Sequence, residues 1–313
     1  MDGNQSIYIG CHLSVTDGYE AMGKTMLSFG GNTFAFFTKN PRGGKSKELL
    51  PEDATALLGL LGREGFGPLV AHGSYTMNLC ASKPETRLNG LDMLEKDLLR
   101  MEQLPGQFYN FHPGAHTGQG MEMGIQLIAD ALNLFLRPET QTVVLLETMA
   151  GKGTEVGGRF EELREIIDRV ERKEKLGVCF DTCHVWDAGY DLGNDLDGVL
   201  TEFDRVIGLD RLRAVHFNDS KNACGSKKDR HEKLGQGQLG MEAMRRIALH
   251  PALAGRPFIL ETPNDDEGYI KEIHTVVNWF PSKSVQASCQ PQFVKQQKTT
   301  EKRDEKTHNE YSR

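Results

Sequence analysis

A chain of 313 residues with 38% hydrophobic and 26% charged residues has the profile of a folded, soluble protein. No apolar stretch approaches the roughly 20 residues of a membrane helix, and a net charge of −7 argues against broad attraction to a polyanion unless bound divalent cations invert the local sign. The six cysteines, at positions 11, 80, 179, 183, 224 and 289, form no paired framework, and MDGNQSIYIG has neither the basic start nor the apolar core of a secretory signal; reduced thiols and a cytoplasmic location are expected.

In chain order, short apolar runs alternate with longer amphipathic stretches. The runs are SIYIGCHLSV, TFAFFTK, PLVAHGS, QFYNFHPG, TVVLLETMA, LGVCFDTCH, LRAVHFNDS and PFILETP. Helical spacing of leucine, isoleucine and methionine predicts helices over Glu52–Arg63, Arg87–Gln103, Glu122–Leu136, Arg159–Glu174 and about Glu267–Phe280. Eight strand–helix units predict one α/β domain over residues 1–281, a closed (β/α)8 barrel, with an open doubly wound sheet as the alternative. From Ser282 to Arg313 the sequence is polar, charged and poor in large apolar residues, and reads as a disordered tail.

In such a barrel the chemistry gathers where the strands finish. The first strand carries His12, and the second runs into Lys39 and Arg42. The remaining six end in His72, His112, Glu147, Asp181, His216 and Glu261, with His184 just beyond the sixth. The loop after the seventh adds Asp229 and His231. One histidine at a strand end is more often a hydrogen-bonded structural residue. Nine imidazoles and carboxylates sent to one face are another matter, because burying them without a cation costs several kcal/mol for each unpaired charge. Imidazole with carboxylate suits zinc, manganese or iron, and nine donors suit several ions with a carboxylate shared between them.

Other features read more plainly. His116, His250, His274 and His308 fall outside this pattern and read as surface or structural. Cys179 and Cys183 read as packed small hydrophobes. GQGQLG at 235–240 matches G-x-G-x-x-G but follows no apolar strand, so it reads as a flexible connection and not as a dinucleotide fingerprint.

The stretches IGCHLSV, FTKNPR, VAHGSYTMNL, NFHPG, LLETMAGKGTEVG, GVCFDTCHVWDAGYD, VHFNDSKNACGSKKDRHEKLGQGQLG and FILETP resemble the endonuclease IV family over about Ile7–Phe280. The combination of D-T-C-H, H-x-N-D-S-K and D-R-H-x-x-x-G-x-G carries the resemblance. It implies a barrel with a trinuclear zinc centre, manganese being a substitute. One zinc would be held by His72, His112 and Glu147, a second by Glu147, Asp181, His216 and Glu261, and a third by His184, Asp229 and His231. The implied activity is hydrolysis 5′ to abasic sites in double-stranded DNA, leaving a 3′-hydroxyl, with removal of 3′ blocking groups; the enzyme type is deoxyribonuclease IV. Glu261, Glu147 and Asp181 would be the catalytic residues. Arg42 and Tyr75 would enter the DNA, with Lys39 beside them and Lys152 and Lys221 as weaker phosphate contacts. Thr76 departs from the family, which has a larger apolar wedge there.

The rival reading is a metal-dependent sugar isomerase or epimerase, for which Glu147, Asp181, His216 and Glu261 would suffice. A further alternative is a non-catalytic DNA- or metal-binding module. A monomer with no membrane partner is expected.

Overall fold

The computed structural model describes residues 7–38 and 48–280. Lys39, Arg42 and the segment 282–313 therefore lie outside the described residues. Within them the alternation resolves into a closed barrel of eight parallel strands. These are β1 (Tyr8–Leu13), β2 (Ala35–Phe37), β3 (Val70–His72), β4 (Phe108–Phe111), β5 (Val143–Glu147), β6 (Leu176–Asp181), β7 (Leu212–His216) and β10 (Pro257–Leu260). Neighbours pair in sequence order, and β10 closes the ring between β7 and β1. A small antiparallel pair, β8 (Asp219–Ser220) and β9 (His231–Glu232), lies in the connection after β7. The open-sheet alternative is thereby excluded.

The helices between the strands are α1 (Tyr19–Phe29), α2 (Pro51–Glu64), α3 (Pro84–Met101), α4 (Met121–Phe135), α5 (Phe160–Arg169), α6 (Thr182–Ala188), α7 (Leu196–Val206), α8 (Gly240–Leu249) and α9 (Asp266–Val277). Their ends follow local chemistry. Both α2 and α3 begin on proline, whose missing N–H costs nothing in a first turn, and α2 stops at Gly65, whose φ of 68° is the left-handed C-terminal cap. The first turn of α1 has no side-chain cap of its own. Instead the Asp53 carboxylate, from α2, accepts from the N–H groups of Tyr19 and Glu20 at 2.8 and 2.9 Å. The helix expected over Arg159–Glu174 ends at Arg169, because buried Val170 turns extended and leads into the next strand.

Strand alternation sorts the core into two layers. Outward-facing Phe36, Ala71, Tyr109, Phe111, Val144, Leu146, Val178, Phe180, Val215 and Phe258 pack against the helices. Each large side chain there stabilises the fold by about 1.5–3 kcal/mol through burial. Inside the barrel, Ala35, Val70, Leu145, Cys179, Ala214 and Ile259 form one apolar layer. Cys179 is thus a packed small side chain, as is buried Cys183, and burial pushes the Cys179 thiol up to about 12. This inner layer sets the site. Two residues further along the same strands stand Phe37, His72, Glu147, Asp181, His216 and Glu261.

Candidate metal centre

A period of two puts each of those residues on the inner face, one pleat above the apolar layer, at the strands' C-terminal ends. Glu147 lies at the centre with no exposed surface. Its Oε2 faces His72 Nε2 at 3.2 Å and His112 Nε2 at 3.5 Å, while its Oε1 faces His216 Nδ1 at 3.2 Å and His184 Nδ1 at 3.3 Å. Glu261 Oε2 lies 3.1 Å from His216 Nδ1. At the far side His184 Nε2 stands 3.0 Å from Asp229 Oδ1, and His231 Nε2 stands 3.6 Å from Asp181 Oδ2 and 3.8 Å from Asp229 Oδ1. All nine side chains selected from the sequence therefore converge. Their donor atoms fall into groups lying within 4.8 Å of one another, among them His72–His112–Glu147 and Glu147–Asp181–His216–Glu261, which share Glu147, and His184–Asp229–His231; His72–His216–Glu261 and Asp181–Cys183–His231 meet the same spacing.

The donor set fits divalent ions on its dimensions. Two ligand atoms held about 2.1 Å from a tetrahedral ion lie roughly 3.4 Å apart. His231 Nε2 is buried without a hydrogen-bond partner, yet two carboxylates stand within 4 Å of it, spacings too long for hydrogen bonds and suited to a shared cation.

Three of the five imidazoles are pre-aimed by their other nitrogens. Nδ1 of His72 lies 2.7 Å from the Gly73 carbonyl, Nδ1 of His184 is 2.9 Å from that of Thr148, and Nδ1 of His231 is 3.2 Å from that of Glu261. In the neutral imidazole, a proton on each Nδ1 donates to its carbonyl and leaves the Nε2 lone pair facing the cluster.

The electrostatics are those of a cage built around positive charge. Burial opposes ionisation of Glu147 and Glu261, but His216 and the other imidazoles hold both carboxyls well below the ordinary range. Asp229, despite burial, is held at about 2 by His184. Burial also opposes charge on His184, yet Asp181 and Asp229 hold it well above 6.5. In His216, burial is outweighed by Cys179, Glu261 and Glu147, with the same upward result.

Several groups that complete the centre escaped the sequence reading. Asn218 donates from Nδ2 to Asp181 Oδ2 at 2.8 Å, and its Oδ1 accepts from the Glu261 N–H at 2.8 Å, so one buried amide fixes two carboxylate residues. Asn110 donates to Glu147 Oε2. His12, noted on the first strand but left out of the ligand set, faces Glu261 Oε1 at 3.3 Å and stacks on Phe37. The available signal was alternation: Asn110 precedes His112 by two residues and Asn218 follows His216 by two, so each shares its ligand's face.

The segment GQGQLG is no loose connection. The Asp219 carboxylate accepts from the N–H groups of Ser220, Gly237, Leu239 and Gly240 at 2.8–3.2 Å and binds the segment around itself. A Cβ at Gly237 would meet the Ser220 carbonyl at 2.3 Å, so that close approach requires glycine.

Among the proposed nucleic-acid contacts, Tyr75 is 56% exposed at the barrel mouth, its ring 5.6 Å from those of both His72 and His112. Lys152 and Lys221 are exposed on the surrounding loops, Lys221 lying 3.9 Å from Glu232. Thr76 hydrogen-bonds Ser74. Of the histidines set aside, His116 accepts from Gly118 and Gly120, and His250 pairs with Asp197.

A family model described as "Xylose isomerase-like TIM barrel" matches residues 25–281. A protein named "Probable endonuclease 4" from Akkermansia muciniphila is 56% identical over 266 residues, 85% of this chain and 96% of that protein. One of the same name from Alkaliphilus oremlandii is 53% identical over 277 residues, 88% of this chain and 99% of its own. The crystal structure of endonuclease IV from Thermus thermophilus superposes with a TM-score of 0.75 at 35% identity, covering 87% of this chain and 99% of that one.

Proposed function

Because the chain belongs to the endonuclease IV family, we propose that it is a DNA-repair endonuclease that hydrolyses the phosphodiester 5′ to abasic sites and leaves a 3′-hydroxyl. On the same reading it clears blocked 3′ ends as a 3′-phosphatase and 3′-phosphodiesterase. Its substrate is double-stranded DNA, and it works as a cytoplasmic monomer with no membrane partner. No helix among the described residues is long and apolar enough to cross a membrane.

The observation that carries the proposal is the surplus of donors. Glu147, Asp181, His216 and Glu261 form one complete group, enough for a single-ion sugar isomerase or epimerase. His72 with His112, and His184 with Asp229 and His231, have no task around one ion, and each makes a further group. Three zinc ions use all nine residues, with manganese as a substitute. His72, His112 and Glu147 hold the first, Glu147, Asp181, His216 and Glu261 the second, and His184, Asp229 and His231 the third. Zinc supplies acidified water at neutral pH and neutralises phosphate oxygens.

The chain's own residues aim this chemistry. The carbonyls of Gly73, Thr148 and Glu261 fix which imidazole nitrogen faces the cluster. Glu147 spans two groups with its two oxygens, and the Asn218 amide holds Asp181 and Glu261 in register. Glu261, at the rim and incompletely buried, also orients the attacking water as an acceptor. An abasic nucleotide must leave the stack to reach so recessed a layer, and exposed Tyr75 above His72 and His112 offers a face for a neighbouring base. Arg42 and Lys39, in the segment after β2, complete the DNA contacts on this reading.

The test is incubation with an abasic-site duplex before and after removal of metal by a chelator. A cut 5′ to the lesion, lost on chelation and restored by zinc, supports the proposal. An intact duplex with metal-replete protein, or isomerisation of a sugar dependent on one ion, overturns it.

A further inference from the structure

Asp187 is a fully buried acid to which the three-ion reading gives no task. It lies on α6 three residues beyond His184, so one helical turn presents both side chains to the segment carrying Asp229 and His231. Its carboxylate is divided between two partners. Oδ1 accepts from the Ser220 hydroxyl at 2.7 Å, and Oδ2 accepts from the backbone N–H of Asp229 at 2.8 Å. The Asp187 carbonyl accepts from the Lys227 N–H at 2.9 Å.

Those two backbone donors sit in an unusual conformation. Lys227 and Asp229 have φ of 56° and 55°, the left-handed region that residues with side chains avoid. A segment free in solvent would relax out of it. Here each strained residue is held from outside by a bond to Asp187. The preceding stretch is held by the neighbouring residue: Trp186 Nε1 donates to the Asn222 carbonyl at 2.8 Å, and the Trp186 carbonyl accepts from Gly225 at 3.0 Å. The consequence for the site is direct, because Asp229 Oδ1 then stands 3.0 Å from His184 Nε2.

We propose that Asp187 is a positioning residue for the third cation site. It fixes the backbone of Asp229, so that Asp229 and His231 meet His184 before any ion binds. The inference rests on the three-ion reading above and adds how its outermost site is assembled.

The test compares the full-length protein with Asp187→Asn, an isosteric change that keeps an acceptor for Ser220 and sets an amide donor against the Asp229 N–H. Metal-free samples of both are titrated with zinc against a chromophoric chelator, and amide hydrogen exchange is followed without metal. Wild type is expected to bind three ions. The variant is expected to bind two at wild-type affinity and the third roughly ten- to a hundredfold more weakly, the scale of one hydrogen bond to a charged acceptor. Exchange should accelerate over residues 221–232 and stay unchanged in the barrel strands. Ser220→Ala, which removes the hydroxyl on Oδ1 together with its bond from the Asn222 N–H, should weaken the third ion in the same direction with smaller size, read by the zinc titration and by exchange at residues 226–232 beyond Asn222, and serves if Asp187→Asn does not fold.

A variant that binds all three ions like wild type overturns the proposal. So does equal weakening of all three with faster exchange throughout the barrel, which would make Asp187 a general structural residue. Wild-type protein that itself takes up only one or two ions would instead sink the three-ion reading, and the inference with it.

Discussion

Replacing Asn218 with alanine should damage the centre without removing a ligand. The Asn218 side chain is fully buried and makes two bonds at 2.8 Å, one to the Asp181 carboxylate and one from the Glu261 N–H. Loss of a bond to a charged acceptor costs about 1.5–3 kcal/mol, and leaving the Glu261 N–H buried and unpaired costs about 1–3 kcal/mol more. The two are partly coupled, so a fall of about 3–5 kcal/mol is expected in the metal-free protein, read by urea unfolding with an unchanged slope. Asp181 and Glu261 would lose their common register, so zinc held by Glu147, Asp181, His216 and Glu261 should weaken while the His72–His112 side is spared. Asn218→Asp keeps the acceptor for Glu261 but sets a carboxylate against Asp181, and should be worse for zinc than alanine. A change under about 1 kcal/mol with full zinc content would refute the reasoning, since neither bond would then matter.

Metal-free and zinc-loaded protein should respond to pH in opposite directions. His184 and His216 are raised well above 6.5, so their contribution to stability is full below 6.5 and is lost as pH rises through the raised values; Glu147 and Glu261 are depressed, so theirs is present above 4.5 and lost as pH falls through the lowered values. Thermal unfolding of metal-free protein should therefore be latest between 4.5 and 6.5, whereas zinc affinity should climb with pH as protons leave the ligands; a metal-free protein that gains stability above neutrality contradicts the first half. Tyr75→Ala is expected to weaken binding to an abasic duplex by about 1–3 kcal/mol, the worth of one base–aromatic stack, at unchanged zinc content; equal binding by both proteins removes Tyr75 from the interface. A chain ending at Pro281 is proposed to be the complete catalytic domain, so its incision rate in vitro should equal that of the full chain, and a collapse in turnover would assign residues 282–313 a part in the reaction.

The convergence of the nine side chains was legible because most barrel strands are short apolar runs with a polar residue where the run stops. In TVVLLE the inward positions carry leucine and then glutamate, and in LGVCFD they carry cysteine and then aspartate, so the apolar floor and the ligand layer are adjacent pleats of one pattern. Helix ends were less legible. The expected stop at Glu174 missed the fact that Val170 is wanted in the core in an extended conformation. The supporting groups were harder still. Asn218 lies only two residues past His216, but nothing local says that its amide bridges Asp181 and Glu261, which are distant in sequence. Nothing in the sequence assigns Asp187 or Asp219 a partner. Their roles exist only because the connection after β7 folds back over α6, and a long, irregular connection leaves no periodicity to read.

The central claim is that nine side chains, gathered from the ends of six barrel strands and the connections that follow them, enclose three cations. Anomalous scattering at the zinc edge from crystals of zinc-replete protein tests it most directly. Three peaks are predicted: one among His72, His112 and Glu147, one among Glu147, Asp181, His216 and Glu261, and one among His184, Asp229 and His231. A single peak among Glu147, Asp181, His216 and Glu261, with the remaining histidines hydrogen-bonded to protein or water, would contradict the account.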